Sequence, residues 1–113
     1  MSYPTLFSTP GVAAFAEAVD AERQAQLAKW GEQHHPDGTS GHNFRREADA
    51  ARRSCQSAAQ RDAVTWFHIL REEFWEAMAE TDPKALRTEL VQCAAVIQAW
   101  VADLDGRTDQ AAG

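Results

Sequence analysis

The segment EEFWEAMAETDPKALRTELVQ, residues 72–92, sets Glu72, Glu73, Glu76, Glu80, Asp82 and Glu89 around a short turn, interleaved with Phe74, Trp75, Met78, Leu86 and Leu90. Carboxylates are hard oxygen ligands, so the chemistry open to such a cluster is the binding of a divalent cation, Mg²⁺ or Mn²⁺, and through it of phosphates. Glu73 and Glu76 are three residues apart, as are Glu89 and Gln92, so each pair shares a helix face. Counted outward from the Asp82-Pro83 junction, Glu76 lies about as far out as Glu89, and Glu73 about as far as Gln92. In an antiparallel hairpin those positions meet, and three carboxylates and one amide oxygen converge if the faces are turned toward each other. Two carboxylates ~4 Å apart at an effective dielectric near 20 repel by about 4 kcal/mol, which a bound cation would offset. Glutamates turned outward to solvate the hairpin would show the same spacing.

Helices must position these groups. After Pro10-Gly11, the residues Val12, Phe15, Ala16, Val19, Leu27 and Trp30 recur at helical spacing, with Arg23 and Gln26 interrupting, which predicts a helix over about 12–31. Thr9 and Pro10 suit its start and Gly31 its end. The stretch GEQHHPDGTSGHN, 31–43, has no periodic apolar face and reads as a functional or disordered loop. A second helix over about 44–60 has Phe44, Ala48, Ala51, Cys55 and Ala58 as its inner stripe, small residues that let a neighbouring backbone approach. Thr65 suits the N-cap of a third helix over about 65–81, although no Gly or Pro marks the break at 61–65, and the second and third helices also read as one long bent helix. Asp82 as N-cap and Pro83 in the first turn open a fourth over about 83–105, with Leu86, Leu90, Cys93, Ile97, Trp100 and Leu104 along it. Nothing reads as a strand, so the expected fold is an all-α, four-helix bundle in a single domain, with residues 1–10 and 107–113 as flexible ends.

A chain of 113 residues, 44% of them hydrophobic, can build one small core. Four Trp and five Phe in that length point to extensive helix packing, including packing between subunits of a homodimer or homotetramer. The net charge of −6 argues against binding a nucleic-acid polymer, which needs a positive surface. No apolar run suits a membrane span or a signal peptide, so a cytoplasmic protein is expected. Cys55 and Cys93 lack metal-ligand spacing and read as buried reduced thiols.

Basic residues gather at Arg45, Arg46, Arg52, Arg53 and Arg61, opposite in charge to the 72–89 segment. Such a division suits a small anion arriving with a divalent cation, and equally suits two facing helices of opposite charge. Lys29, Arg45, Arg46, Arg52 and Arg53 are candidates to meet phosphate oxygens, Arg46 and Arg53 foremost on α2. Arg52 and Arg53 point about 100° apart, so one of the two at most reaches a given site. Trp30 is a candidate to stack on a base or to join the core, and His35 and Asn43 are candidates to hydrogen-bond a nucleotide from the loop. His34, His35 and His42 match no zinc pattern, and His68 reads as structural.

At this point the residues resemble a known family. The stretch ILREEFWEAMAETDPKALRTELVQCAAVIQAW is similar to the core of the MazG-like, all-α nucleoside triphosphate pyrophosphohydrolases, whose signature is EExxE on one helix and ExxD on the next. Here EExxE is Glu72-Glu73-Phe74-Trp75-Glu76, and Glu89-Leu90-Val91-Gln92 stands where ExxD would be. The upstream RQAQLAKWGEQHHPDGTSG resembles the N-terminal part of a small bacterial and phage branch, so the likeness runs from Arg23 to Trp100. The resemblance implies a MazG fold and cleavage of a nucleoside triphosphate, ribo or deoxyribo, to the monophosphate and pyrophosphate. It also implies that acidic residues hold Mg²⁺, which orients the phosphates and activates a water. Carried over, Glu73, Glu76 and Glu89 are metal ligands, Gln92 stands at a fourth ligand position, and Glu72 is an outer carboxylate or the base that positions water. Gln92 departs from the family pattern, since an amide oxygen coordinates a hard cation without bringing charge. A non-catalytic nucleotide-binding or oligomeric interaction module that kept the fold is the alternative.

Overall fold

A computed structural model describes residues 7–112 and contains four helices: α1 (Val12–Trp30), α2 (Phe44–Gln60), α3 (Trp66–Met78) and α4 (Pro83–Ala112). No strand occurs among the described residues, so the chain has the all-α, four-helix class that the apolar periodicity predicts. Residues 1–6 and 113, within the ends expected to be flexible, lie outside the described residues. No helix among the described residues is long and apolar enough to cross a membrane. The chain divides into two compact units, one of the residues up to His35 together with those from Gln98 onward, the other Pro36–Ile97.

In the Pro36–Ile97 unit, α2 packs on α3 through small residues. Ala48, Ala51 and Ala58 of α2 are 0, 1 and 0% exposed, and Ala77 of α3 is 0% exposed, while Leu86 at the start of α4 is buried. A methyl side chain keeps the facing backbones close, and the stripe spacing of 3 and 7 keeps all three α2 alanines on one face. Aromatic rings flank this seam: Phe44 meets Trp75 edge-on at 5.3 Å between centroids, and Trp75 meets Phe74 at 5.1 Å. The loop before α2 is tied into the same unit. Ser40 N–H donates to the Met78 carbonyl at 2.7 Å, satisfying an orphan acceptor at the end of α3. A Cβ on Gly41 would stand 3.0 Å from the Phe44 ring, so the loop backbone lies directly on that ring.

The helix ends follow local chemistry. Asp62 adopts the left-handed conformation at φ 56°, and Asp62 N–H and Ala63 N–H donate to the carbonyls of Ala59 (3.1 Å) and Ala58 (2.8 Å). This is the pair of bonds that closes a helix with a left-handed residue, here Asp in place of the usual Gly, and it separates α2 from α3. Thr65 then caps α3 reciprocally: His68 N–H donates to Thr65 Oγ1, and Thr65 N–H donates to His68 Nδ1 at 3.1 Å. His68 is structural in this sense. Ala85 N–H donates to Asp82 Oδ2 at 3.0 Å, and Pro83 occupies the first helical position of α4, as expected. Two boundaries differ from expectation. α3 ends at Met78 rather than near 81, and α4 runs through Gly106 to Ala112 rather than ending near 105. A glycine inside a helix costs only about 1 kcal/mol, and the Arg107–Asp103 ion pair, at 3.6 Å, spans that turn.

In the other unit, Gly11 precedes α1 at φ 85°, and a Cβ there would come within 3.2 Å of both Ala102 Cβ and Gln98 Nε2. Gln98 Nε2 donates to the Pro10 carbonyl at 3.3 Å, fastening the start of α1 to α4. No residue of α1 is buried. Val12, Phe15 and Ala16 are half-buried, whereas Val19, Leu27 and Trp30 of the same expected inner stripe are exposed.

Candidate functional site on α2, α3 and the start of α4

α3 turns its acidic residues to two sides. Glu76, half-buried, accepts from Arg52 Nη2 and from Arg45 Nη1, the latter at 3.4 Å. One turn earlier, Glu72 helps, after burial, to raise the Cys55 thiol of α2, and its charge also acts on Arg52. The hydrogen bond to Glu76, then its charge, raises the Arg52 pKa further above its ordinary range.

Glu73 is raised above the usual carboxylate range by burial first, then by the charges of Glu89, Glu72 and Glu76. Glu89 of α4 is raised likewise by burial, then by Glu76 and Glu80, with Arg45 pulling the other way. Glu73 thus feels the charge of Glu76 from the same helix, and Glu89 feels it from the other side of the turn. Burial, followed by Glu73 and Glu89, also raises the Cys93 thiol. Both thiols are free and half-buried rather than fully buried. Gln92, the neighbour of Cys93 on α4, is exposed.

Among the described residues, no three His, Cys, Asp or Glu side chains stand close enough to hold a metal ion as they lie. Asn43 is exposed, at the N-cap of α2 with φ 71° and no side-chain cap bond. Arg46 and Arg53 are exposed and make no ion pair among the described residues. Lys29, Trp30 and His35 belong to the other unit. There Lys29 Nζ lies 4.7 Å from the centre of the Trp30 ring, and Trp30 is 58% exposed rather than core. The two residues line a hollow of about 240 Å³ with Glu22, Ala25 and Gln26. His35 is exposed.

Sequence reasoning weighed Arg45 and Arg52 as phosphate contacts and missed their pairing with Glu76. The signal was available: they are seven residues apart and so share one face of α2, alongside Ala48 and Cys55. No protein-family model, curated protein or solved structure matches the chain.

Proposed function

We propose that the chain is a divalent-cation-dependent nucleoside triphosphate pyrophosphohydrolase of the MazG-like type, cleaving between the α and β phosphates. The observation that carries this reading is the mutual electrostatic reach of Glu73, Glu76 and Glu89 from two helices, two of them driven toward protonation by burial and by their like-charged neighbours. Such a set fits a hard divalent cation in kind, because its oxygens are the preferred ligands and its repulsion is what a cation removes.

Glu73, Glu76 and Glu89 would hold Mg²⁺ or Mn²⁺ in this reading, with the exposed Gln92 amide as a neutral fourth donor. The bound cation would neutralise charge on the phosphates and on the departing pyrophosphate. Glu72 orients the attacking water and takes its proton. Guanidinium groups on α2 meet the non-bridging phosphate oxygens.

A second reading, a nucleotide-binding or interaction module without turnover, is favoured by the pairing of Glu76 with two arginines and by the uncharged Gln92. The exposed apolar residues Val19, Leu27, Trp30, Phe67, Phe74 and Val91 support self-association as a homodimer or homotetramer under either reading.

Pyrophosphate release from a panel of ribo- and deoxyribonucleoside triphosphates, with Mg²⁺, Mn²⁺ or chelator, separates the two. The enzyme releases pyrophosphate and the matching monophosphate only with metal, and Glu76→Gln or Glu89→Gln lowers turnover by about 10²-fold or more while remaining helical. Folded protein that is inactive across the panel, but binds a nucleotide, establishes the module instead.

A further inference from the structure

Among the described residues the buried apolar side chains are four alanines and Leu86, and no large side chain is fully buried. Larger apolar groups of the α3 and α4 hairpin stand in water instead. Phe67 and Phe74 of α3 are 61 and 45% exposed, and Leu90 and Ile97 of α4 are 47 and 40% exposed. These four share one face. Glu73 looks across the hairpin, where the charge of Glu89 acts on it, and in an antiparallel pair the residue after a facing position turns to the same side on both helices. Phe74 follows Glu73 and Leu90 follows Glu89, while Phe67 and Ile97 lie seven residues farther from the turn on their own helices. The other side of α3 belongs to α2, through Glu76 to Arg52 and Arg45 and through Trp75 to Phe44. The apolar patch is thus the hairpin face turned away from α2.

We propose that this face is the interface between two copies of the chain, the outer surface of one α3 and α4 hairpin packed on that of the other. It gives a place to the self-association proposed above and depends on neither cation nor nucleotide. The patch is complementary to itself. Phe74 and Leu90 are each eight residues from Asp82, and Phe67 and Ile97 each fifteen. A second hairpin turned by half a revolution about an axis along the helices therefore sets Phe74 against Leu90 of the partner subunit, and Phe67 against Ile97 of the partner subunit, in an antiparallel four-helix arrangement. The area suits a dimer: the four side chains leave roughly 400 Å² per copy in water, so two copies supply most of the ~1,000 Å² of apolar surface in a homodimer interface of standard size. Charge selects the same face. Copies of a chain with net charge −6 repel each other, yet Glu72, Glu73, Glu76 and Glu89, the acidic residues of α3 and of α4 up to Ile97, look toward α2 or across the hairpin. The charged groups bordering the patch are Arg71 and Arg87, so repulsion between copies is weakest there.

The experiment is sedimentation equilibrium of the full chain over a wide range of concentration, without metal or nucleotide, beside its Phe74→Glu, Leu90→Lys and Leu27→Glu variants, each checked for helicity. Leu27 is the control, an apolar residue of α1 as exposed as Phe74 and given the same charge. The unaltered chain is expected at twice its single mass of 12.5 kDa. Phe74→Glu and Leu90→Lys should each weaken association by about 100-fold or more while staying helical, and Leu27→Glu should leave it unchanged. Mixing Phe74→Glu with Leu90→Lys should restore the double mass, because the two new charges then meet across the interface. Where Phe74→Glu loses helix, Phe67→Glu repeats the test at the most exposed of the four positions. A single-chain mass throughout overturns the interface and leaves the cation reading, which pyrophosphate release tests, as it was. A dimer that survives Phe74→Glu and Leu90→Lys overturns this face, and one that Leu27→Glu alone dissociates moves the interface to α1. Dissociation by both single variants without recovery in the mixture overturns the pairing of Phe74 with Leu90.

Discussion

α1 and α2 are of similar length, 19 and 17 residues, yet one buries nothing and the other buries three residues almost completely. α1 is the more apolar of the two by composition; α2 carries four arginines besides its alanines, and two of them reach Glu76. What differs is placement. The buried alanines of α2 fall on one face, which Arg45 and Arg52 border, whereas the valines, leucine and tryptophan of α1 are broken up by Glu22, Arg23 and Gln26. A helix is buried through the alignment of its apolar residues, and their amount is secondary.

The comparison is easiest to break at the alanine seam. Ala51→Leu inserts three heavy atoms where α2 and α3 already touch, and should destabilise by about 1–3 kcal/mol, lowering the thermal midpoint by roughly 5–15 °C. A midpoint unchanged within 2 °C would mean that α2 and α3 pack more loosely than their burial indicates.

The helix starts offer the next largest contrast. Thr65→Ala removes the hydroxyl that receives His68 N–H and should cost about 1 kcal/mol. Thr9→Ala should cost almost nothing, because Val12 N–H is received by the Thr9 carbonyl and not by its hydroxyl. Chemical denaturation of the two variants side by side checks the difference.

Smaller effects come from Glu73 and Glu89. Both folded carboxyls lie above their ordinary values, so the folded state takes up protons first, and stability from these groups falls as pH rises from the unfolded carboxylate range through the raised folded values. Acidification through that window restores it. Glu73→Gln without metal should therefore raise the midpoint at neutral pH by about 1–3 °C, corresponding to ~0.2–0.5 kcal/mol, and flatten the pH profile over that window. A lower midpoint would show that the Glu73 carboxylate is stabilised rather than strained.

The smallest intrinsic effect belongs to α1. Leu27→Glu, at a position 45% exposed, should change the stability of a lone chain by no more than about 0.5 kcal/mol. A larger loss, accompanied by a fall in mass by light scattering, would show that a second copy covers this face.

Legibility in the sequence followed the range of the interactions. The α2 boundaries, the Thr65 and Asp82 caps and the alanine stripe were readable because each rests on residues within one or two turns of one another. The break after Gln60 was hard to read because Asp62, rather than glycine, takes the left-handed turn there. The continuation of α4 past Gly106 was missed for the converse reason, since a turn signal inside a long helix costs less than the flanking helix supplies. At the site, the antiparallel count from the turn predicts a convergence of Glu73, Glu76, Glu89 and Gln92, whereas among the described residues no three acidic side chains stand close enough to hold a metal ion and Gln92 is exposed.

By itself the sequence determined four helices, their caps and the carboxylates that share a face, because 3.6 residues per turn and short-range hydrogen bonds leave little freedom in those choices. Only the tertiary structure decided that Arg52 and Arg45, rather than Arg53 and Arg46, meet Glu76, that Gln92 is exposed while Cys93 is half-buried, and that Trp30 stands exposed. Each of these depends on which way a helix is rotated against its neighbour. One residue along a helix turns a side chain by about 100°, and for the arginines the packing of α2 on α3 through its alanines sets that rotation.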